Sequence, residues 1–223
     1  MIRWRLSLLL IAGVLVACAR GDDMPTRLMN GSTPGTLSIK LQDIPTTGVV
    51  LTSVKVTNFA DIVPDSPIAE CFRQSSNPLS GSVVERVGVV SSSVTSRTTD
   101  GRAIDGCDDT SGPREDNRRW CGGAFGQLFE GRLRDPRLNI GCLTEDDEMV
   151  GFVWVQPGER ARYVSVEQPG YAEVYEVAGD LPVRVSTRNG VEVEGSRATF
   201  DLFEHDEDGR LLRRYRLEAA VAG

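Results

Sequence analysis

The residues able to do chemistry are few, and their spacing narrows what they can do. The chain has one histidine, His205, in the stretch "FEHDEDG" beside Glu204 and Asp206. A Ser-His-Asp triad would have only this imidazole to use, and its place just before a turn predicts a solvated residue. Cys71, Cys107, Cys121 and Cys142 contain no CxxC pair and match no common zinc spacing. An even set of this kind in an oxidising compartment reads as two disulfides, for which three connectivities exist. The expected pairing is Cys107–Cys121 with Cys71–Cys142. The first bond would close the polar stretch "DDTSGPREDNRRW", a loop closure worth about 3 kcal/mol on the chain-entropy argument. Oxidised cysteines offer no thiolate nucleophile.

Carboxylates are the other candidates. Asp105, Asp108, Asp109, Glu115, Asp116 and the run Glu145, Asp146, Asp147, Glu148 are spread along the chain. Two of them at the correct separation would hydrolyse a glycosidic bond, so a surface hydrolase using paired carboxylates is the alternative function. Three acidic clusters, Asp105–Asp109, Thr144–Glu148 and Asp206–Asp208, also gather hard oxygen atoms. Calcium takes six to eight such ligands, which makes Asp206 and Asp208 the calcium candidates of a calcium-stabilised binding module. The spacing is not that of a twelve-residue EF-hand loop, and solvated turn charges are the plainer reading. Tyr163, Tyr171 and Tyr175 form one small aromatic group, with at least one expected in the core. GxSxG, HExxH and P-loop patterns are absent, and "GGAFG" carries neither a dinucleotide nor a phosphate signature.

The fifth cysteine has a different setting. Arg3 and Arg5 precede the uncharged run Leu6–Ala17, which is too short to span a bilayer at about 20 residues per helix and suits the apolar core of a signal peptide. The run ends in Leu15-Val16-Ala17-Cys18. This resembles the lipobox of bacterial lipoproteins. The resemblance covers the amino-terminal processing signal only, and no domain family is identified with it. It implies cleavage before Cys18, a diacylglycerol thioether on Cys18, and anchoring by several acyl chains such as palmitate, since one short chain binds only marginally. Ala19 supplies no Asp-type retention signal, so the implied address is the outer membrane of a diderm cell, or the outer face of the cell membrane in a monoderm.

These readings set the organisation: residues 1–17 a signal peptide, 18–36 a lipid-anchored linker, 37–148 a β-rich region with one helix and the disulfides, and 149–223 an immunoglobulin-like β-sandwich. "TLSIKLQ" and "GVVLTSVKVTNF" alternate as strands do. "DIVPDSPIAECF", with two prolines, predicts a crossing loop, and Val83–Thr98 a long strand bent at Gly88. Trp120, Cys121, Ala124, Phe125, Leu128 and Phe129 recur at helical spacing, which predicts a helix over about 118–130 despite Gly122, Gly123 and Gly126. "MVGFVWVQ" is apolar on both faces, as in a buried central strand. Short strands follow at regular intervals, with turns at Asn189-Gly190 and Asp208-Gly209. The formal net charge of −7 disfavours nucleic acid and anionic surfaces as partners. The lipid bilayer, through Cys18, and an envelope protein or glycan are the partners expected, in a non-catalytic binding, adhesion or structural role.

Overall fold

In the computed structural model the described residues are 37–45, 48–73, 75–110, 120–134, 137–144, 149–168, 170–188, 192–194 and 197–222. Residues 1–36, expected as a signal peptide, Cys18 and a linker, lie outside them, as do Glu115, Asp116, the acids at 145–148 and the expected Asn189-Gly190 turn. Alternating sequence gives strands as expected, and the protein is mainly β with one short helix. The strands of the first half are β1 (Val49–Leu51), β2 (Ser53–Asn58), β3 (Leu79–Val87), β4 (Ser92–Thr98), β5 (Ala103–Asp109), β6 (Trp120–Phe129), β7 (Arg132–Leu133) and β8 (Arg137–Leu143). Those of the second are β9 (Met149–Val155), β10 (Tyr163–Gln168), β11 (Tyr171–Glu176), β12 (Val183–Arg188), β13 (Glu192–Glu194), β14 (Arg197–His205) and β15 (Leu211–Ala222). The helix α1 is Pro67–Arg73.

Two sheets result, in a sandwich-like arrangement. A six-stranded sheet runs in the order β2-β3-β4-β5-β6-β7, and a nine-stranded sheet in the order β1-β11-β10-β14-β15-β8-β9-β12, with β13 on β14. The larger sheet draws β1 and β8 from before residue 149, and the stretch 149–223 supplies its other seven strands. It also curls. Val153, Val155, Val183 and Val185 of β9 and β12 share a core with Val164, Val166, Tyr175 and Leu202 of β10, β11 and β14. β12 ends the strand order of this sheet, a position where bare backbone groups are costly. The Tyr175 hydroxyl accepts from Ser186 N at 3.0 Å, and Gln168 Nε2 donates to Ser186 O at 2.9 Å. Burial, and then the neighbouring Glu173 carboxylate, hold the Tyr175 phenol well above its ordinary range, so it stays a neutral hydroxyl able to do this.

The opposite face of β9 explains its unbroken apolar run. Trp154 packs with Val84, Ile104, Ala124 and Leu128 of the six-stranded sheet. Its indole N–H donates to Thr95 Oγ1 at 3.2 Å. Room for the ring comes from Gly106 and Gly126, where an added Cβ would lie 3.1 Å from the indole in each case. The β3–β4 turn wedges between β11 and β12: Val89 N donates to Glu173 Oε1 at 3.2 Å and Ser91 meets Ser186 at 2.8 Å.

Several expectations are corrected. The stretch expected as a helix over 118–130 is strand β6, paired antiparallel with β5 from Ala103↔Gln127 to Asp109↔Trp120. Three glycines weaken a helix by about 1 kcal/mol each, whereas a strand lets Gly126 lie flat under Trp154. The helix lies instead in "SPIAECFR", where Pro67 occupies the first turn, tolerated because its missing N–H would be unpaired there. Ser66 Oγ accepts from Ala69 N at 3.2 Å. "TLSIKLQ" joins no sheet; from residue 37 it runs as bends and turns, bonded through Gln42 to His205 at the end of β14 and to Gly209 in the turn that follows. Gly88 marks a reversal between two strands rather than a bend in one. The disulfides are Cys71–Cys107 and Cys121–Cys142. Cys107 pairs in register with Gly123, so Cys121 sits two residues along the strand from the position opposite it. Cys107 instead faces α1, and Cys121 faces β8.

The acids of β5 are not solvated turn charges. Asp108 and Asp109 are buried, and Asp108 forms a bidentate ion pair with Arg184 of β12, through Nε at 2.9 Å and Nη2. Both side chains are almost fully excluded from water, at 2% and 1% exposure. The guanidinium also stacks on Trp154 at 4.5 Å from the ring centroid. Burial pushes the Asp108 carboxyl above its ordinary range and the Arg184 charge pulls it back. Removing one member of such a pair strands a buried charge and costs about 3–5 kcal/mol, while replacing both by apolar groups of similar volume is often neutral or stabilising. Asp108→Asn should therefore lower the unfolding free energy in urea by about 3 kcal/mol or more, and Asp108→Leu with Arg184→Met should recover most of it. Equal losses in the single and double variants would contradict a paired role.

Candidate functional site

The outer face of the six-stranded sheet is covered on one side only. Phe72 and Cys71 of α1 pack on Leu79, Val83, Val94 and Cys107 of β3, β4 and β5. Trp120 closes this cluster, and its indole N–H donates to Pro67 O at 2.8 Å. The helix ends there, and the outer face of β6 is left open.

Strand geometry decides what that face presents. Side chains alternate along β6, so Ala124, Gly126 and Leu128 point inward while Phe125, Gln127 and Phe129 point out. Phe125 is 51% exposed and Phe129 65%. They sit four residues apart, about 13 Å along a strand. Two hollows flank Phe125. One, of about 580 Å³, is lined by Ser75, Asn77, Asp105, Trp120, Gly123 and the Cys71–Cys107 disulfide. The other, of about 450 Å³, is lined by Asn77, Asp100, Arg102, Gln127, Phe129 and Arg134. Asn77 and Phe125 border both.

The polar groups here are set for hydrogen bonding. Asp105 accepts from Ser75 Oγ at 2.6 Å and from Gly106 N at 2.9 Å. Asp100 accepts from Thr98 Oγ1 at 2.7 Å and from Arg102 N at 3.0 Å. These bonds, the Thr98 hydroxyl first, hold the Asp100 carboxyl below its ordinary range, opposite in sign to what the general acid of a glycosidase requires. The carboxyl with a raised value, Asp108, is sealed between the layers by Arg184. Glu204 is buried inside the curl of the larger sheet, held by Arg213 at 2.6 Å, Tyr215 at 3.2 Å and Gly158 N at 3.1 Å.

The remaining expected site residues are scattered. The four cysteines are structural disulfides, and Cys18 lies outside the described residues. Tyr171 and Tyr175 are core residues, and Tyr163 is half-buried. Asp206 Oδ1 accepts from Asp208 N at 3.0 Å and from Arg210 N at 2.9 Å, and Asp208 pairs with Arg210. Among the described residues no group of three or more His, Cys, Asp or Glu side chains is placed to hold a metal ion. No described helix is long and apolar enough to cross a membrane. His205, expected in solvent, is fully buried.

The spacing of Phe125 and Phe129 suits an apolar helix stripe, and the glycine content of the same ten residues is the sequence signal that separates them from it. No family model, curated protein or solved structure matches the chain.

Proposed function

We propose that the chain is a lipid-anchored protein of the bacterial cell envelope whose β body binds a second envelope component, protein or glycan, on the outer face of β6. The observation that carries the binding role is the pair Phe125 and Phe129, large apolar side chains held in solvent beside two hollows with hydrogen-bonding walls. Exposed apolar patches rimmed by polar groups mark interaction sites, and aromatic anchors carry much of the energy where such surfaces bind. The anchoring role rests on the Leu15-Val16-Ala17-Cys18 signal. Two disulfides are consistent with an oxidising compartment.

The mass of protein extracted from membranes tests the anchor. The proposal expects a chain beginning at Cys18 that carries a diacylglycerol thioether; a retained Met1–Ala17 or an unmodified Cys18 would refute it. The binding face is tested by capture from solubilised native envelope, with the wild type beside Phe125→Ala/Phe129→Ala. Both rings are exposed, so the melting temperature should be unchanged within the effect of about 0.5 kcal/mol typical of surface positions, while capture of the specific component should be lost. Equal capture by both proteins, or none by either, would count against this face.

A further inference from the structure

The segment Leu37–Ile44 lies outside both sheets and is fastened to the body largely through one residue. Gln42 N donates to Gly209 O at 2.9 Å, and Leu211 N donates to Gln42 Oε1 at 3.3 Å. The Gln42 carbonyl meets His205 Nε2 at 2.9 Å. Leu41 is buried beside these bonds. Gly209, at φ +81°, lies close beneath the Lys40 carbonyl: a Cβ there would meet it well inside contact distance. A fastening with so few contacts is one that opens locally before the sheets do.

The histidine gives this fastening a condition. A carbonyl oxygen only accepts, so the neutral ring carries its hydrogen on Nε2 and leaves Nδ1 as a bare acceptor. Nδ1 is buried and has no hydrogen-bond partner. Protonation would place a charged N–H there with no acceptor in reach, a costly burial. We propose that Leu37–Ile44 is a pH-released strap, closed while His205 is neutral and opened when the ring takes a proton.

The surroundings set the sign. Two carboxylates act on the ring, Asp43 of the strap and Asp206 of the turn, and with the Gln42 carbonyl they favour the proton; burial opposes it and is the larger effect, so the ring sits below its ordinary value. Of the other neighbours, β10 brings Tyr163, opposite His205 in register, and the residue before β10 is Arg162, whose guanidinium is paired with Glu176. The turn brings Asp208 and Arg210, paired with each other. In the open form the ring regains an ordinary value near 6.5, so the open form binds more protons. Closure is therefore complete above about pH 6.5 and weakens as the pH falls toward the lower value of the closed form.

His205 is the only histidine in the chain, so one imidazole signal reports the titration by NMR without assignment. The experiment follows that signal in the full disulfide-bonded chain, with hydrogen exchange at the Gln42 and Leu211 amides corrected for intrinsic rate. Between about pH 7.5 and about pH 5, protection of both amides should fall by about tenfold or more, the equivalent of one pH unit of linkage, in step with the ring. His205→Gln keeps an N–H for the Gln42 carbonyl but cannot titrate, and its protection should stay flat over the same range. Unchanged protection in the wild type while the ring titrates, or the same fall in His205→Gln, would overturn the proposal. If the variant fails to fold, the wild-type comparison of ring and amides still decides.

Discussion

The ion pair between Asp108 and Arg184 joins the two layers of this protein, and much of the surrounding sequence is explained by the need to accommodate it. A carboxylate and a guanidinium removed from water must satisfy one another in close geometry. The pair does so with two hydrogen bonds from a strand of one sheet to a strand of the other. Trp154 lies under the guanidinium and brings its own N–H to Thr95. Beneath Trp154 only glycine fits at positions 106 and 126 without displacing the indole. The small residues Ala124 and Gly126 of "WCGGAFGQLF" thus belong to the inner face, where a large ring from the opposite layer takes up the space.

The same requirement leaves β6 open on its outer side. Because Gly126 and Ala124 must face Trp154, the odd positions of the strand face outward, and α1 is too short to cover them. Two phenylalanines therefore stand in solvent on a strand whose inner side is held by close packing. A binding surface on so constrained a strand is preorganised, which limits the ordering cost of association. The carboxylates follow a complementary logic: Asp108 and Glu204 are held by arginine and Glu173 by a backbone N–H inside the layers, and Asp100 and Asp105, beside the hollows, already accept hydrogen bonds from neighbouring hydroxyl and backbone groups.

The legible part of this fold was what depends on neighbours in sequence. Alternation in "GVVLTSVKVTNF" and the two-faced apolar run of "MVGFVWVQ" specified strands, and the Asp208-Gly209 turn joined the last two strands of the chain. What the sequence left hidden depended on distant partners. The apolar spacing of Trp120–Phe129 suits a helix face equally well, and only the opposing Trp154 makes the glycines decisive. The cysteine pairing required knowing that Cys107 looks toward α1. His205 reads as a turn residue until Gln42, 163 positions away, is laid over it. Phe125 and Phe129 were visible as apolar residues, but their exposure follows from the strand assignment and not from their identity.

If the buried pair unites the layers, they should open as one unit. Native-state hydrogen exchange by mass spectrometry in rising denaturant measures this directly, comparing peptides from β5 with peptides from β9 and β12. Loss of protection in all three strands at the same denaturant concentration, with the same dependence on it, is the result expected here. Opening of β9 and β12 at lower denaturant, while β5 stays protected, would show that the two sheets are independent units and that the pair does not hold them together.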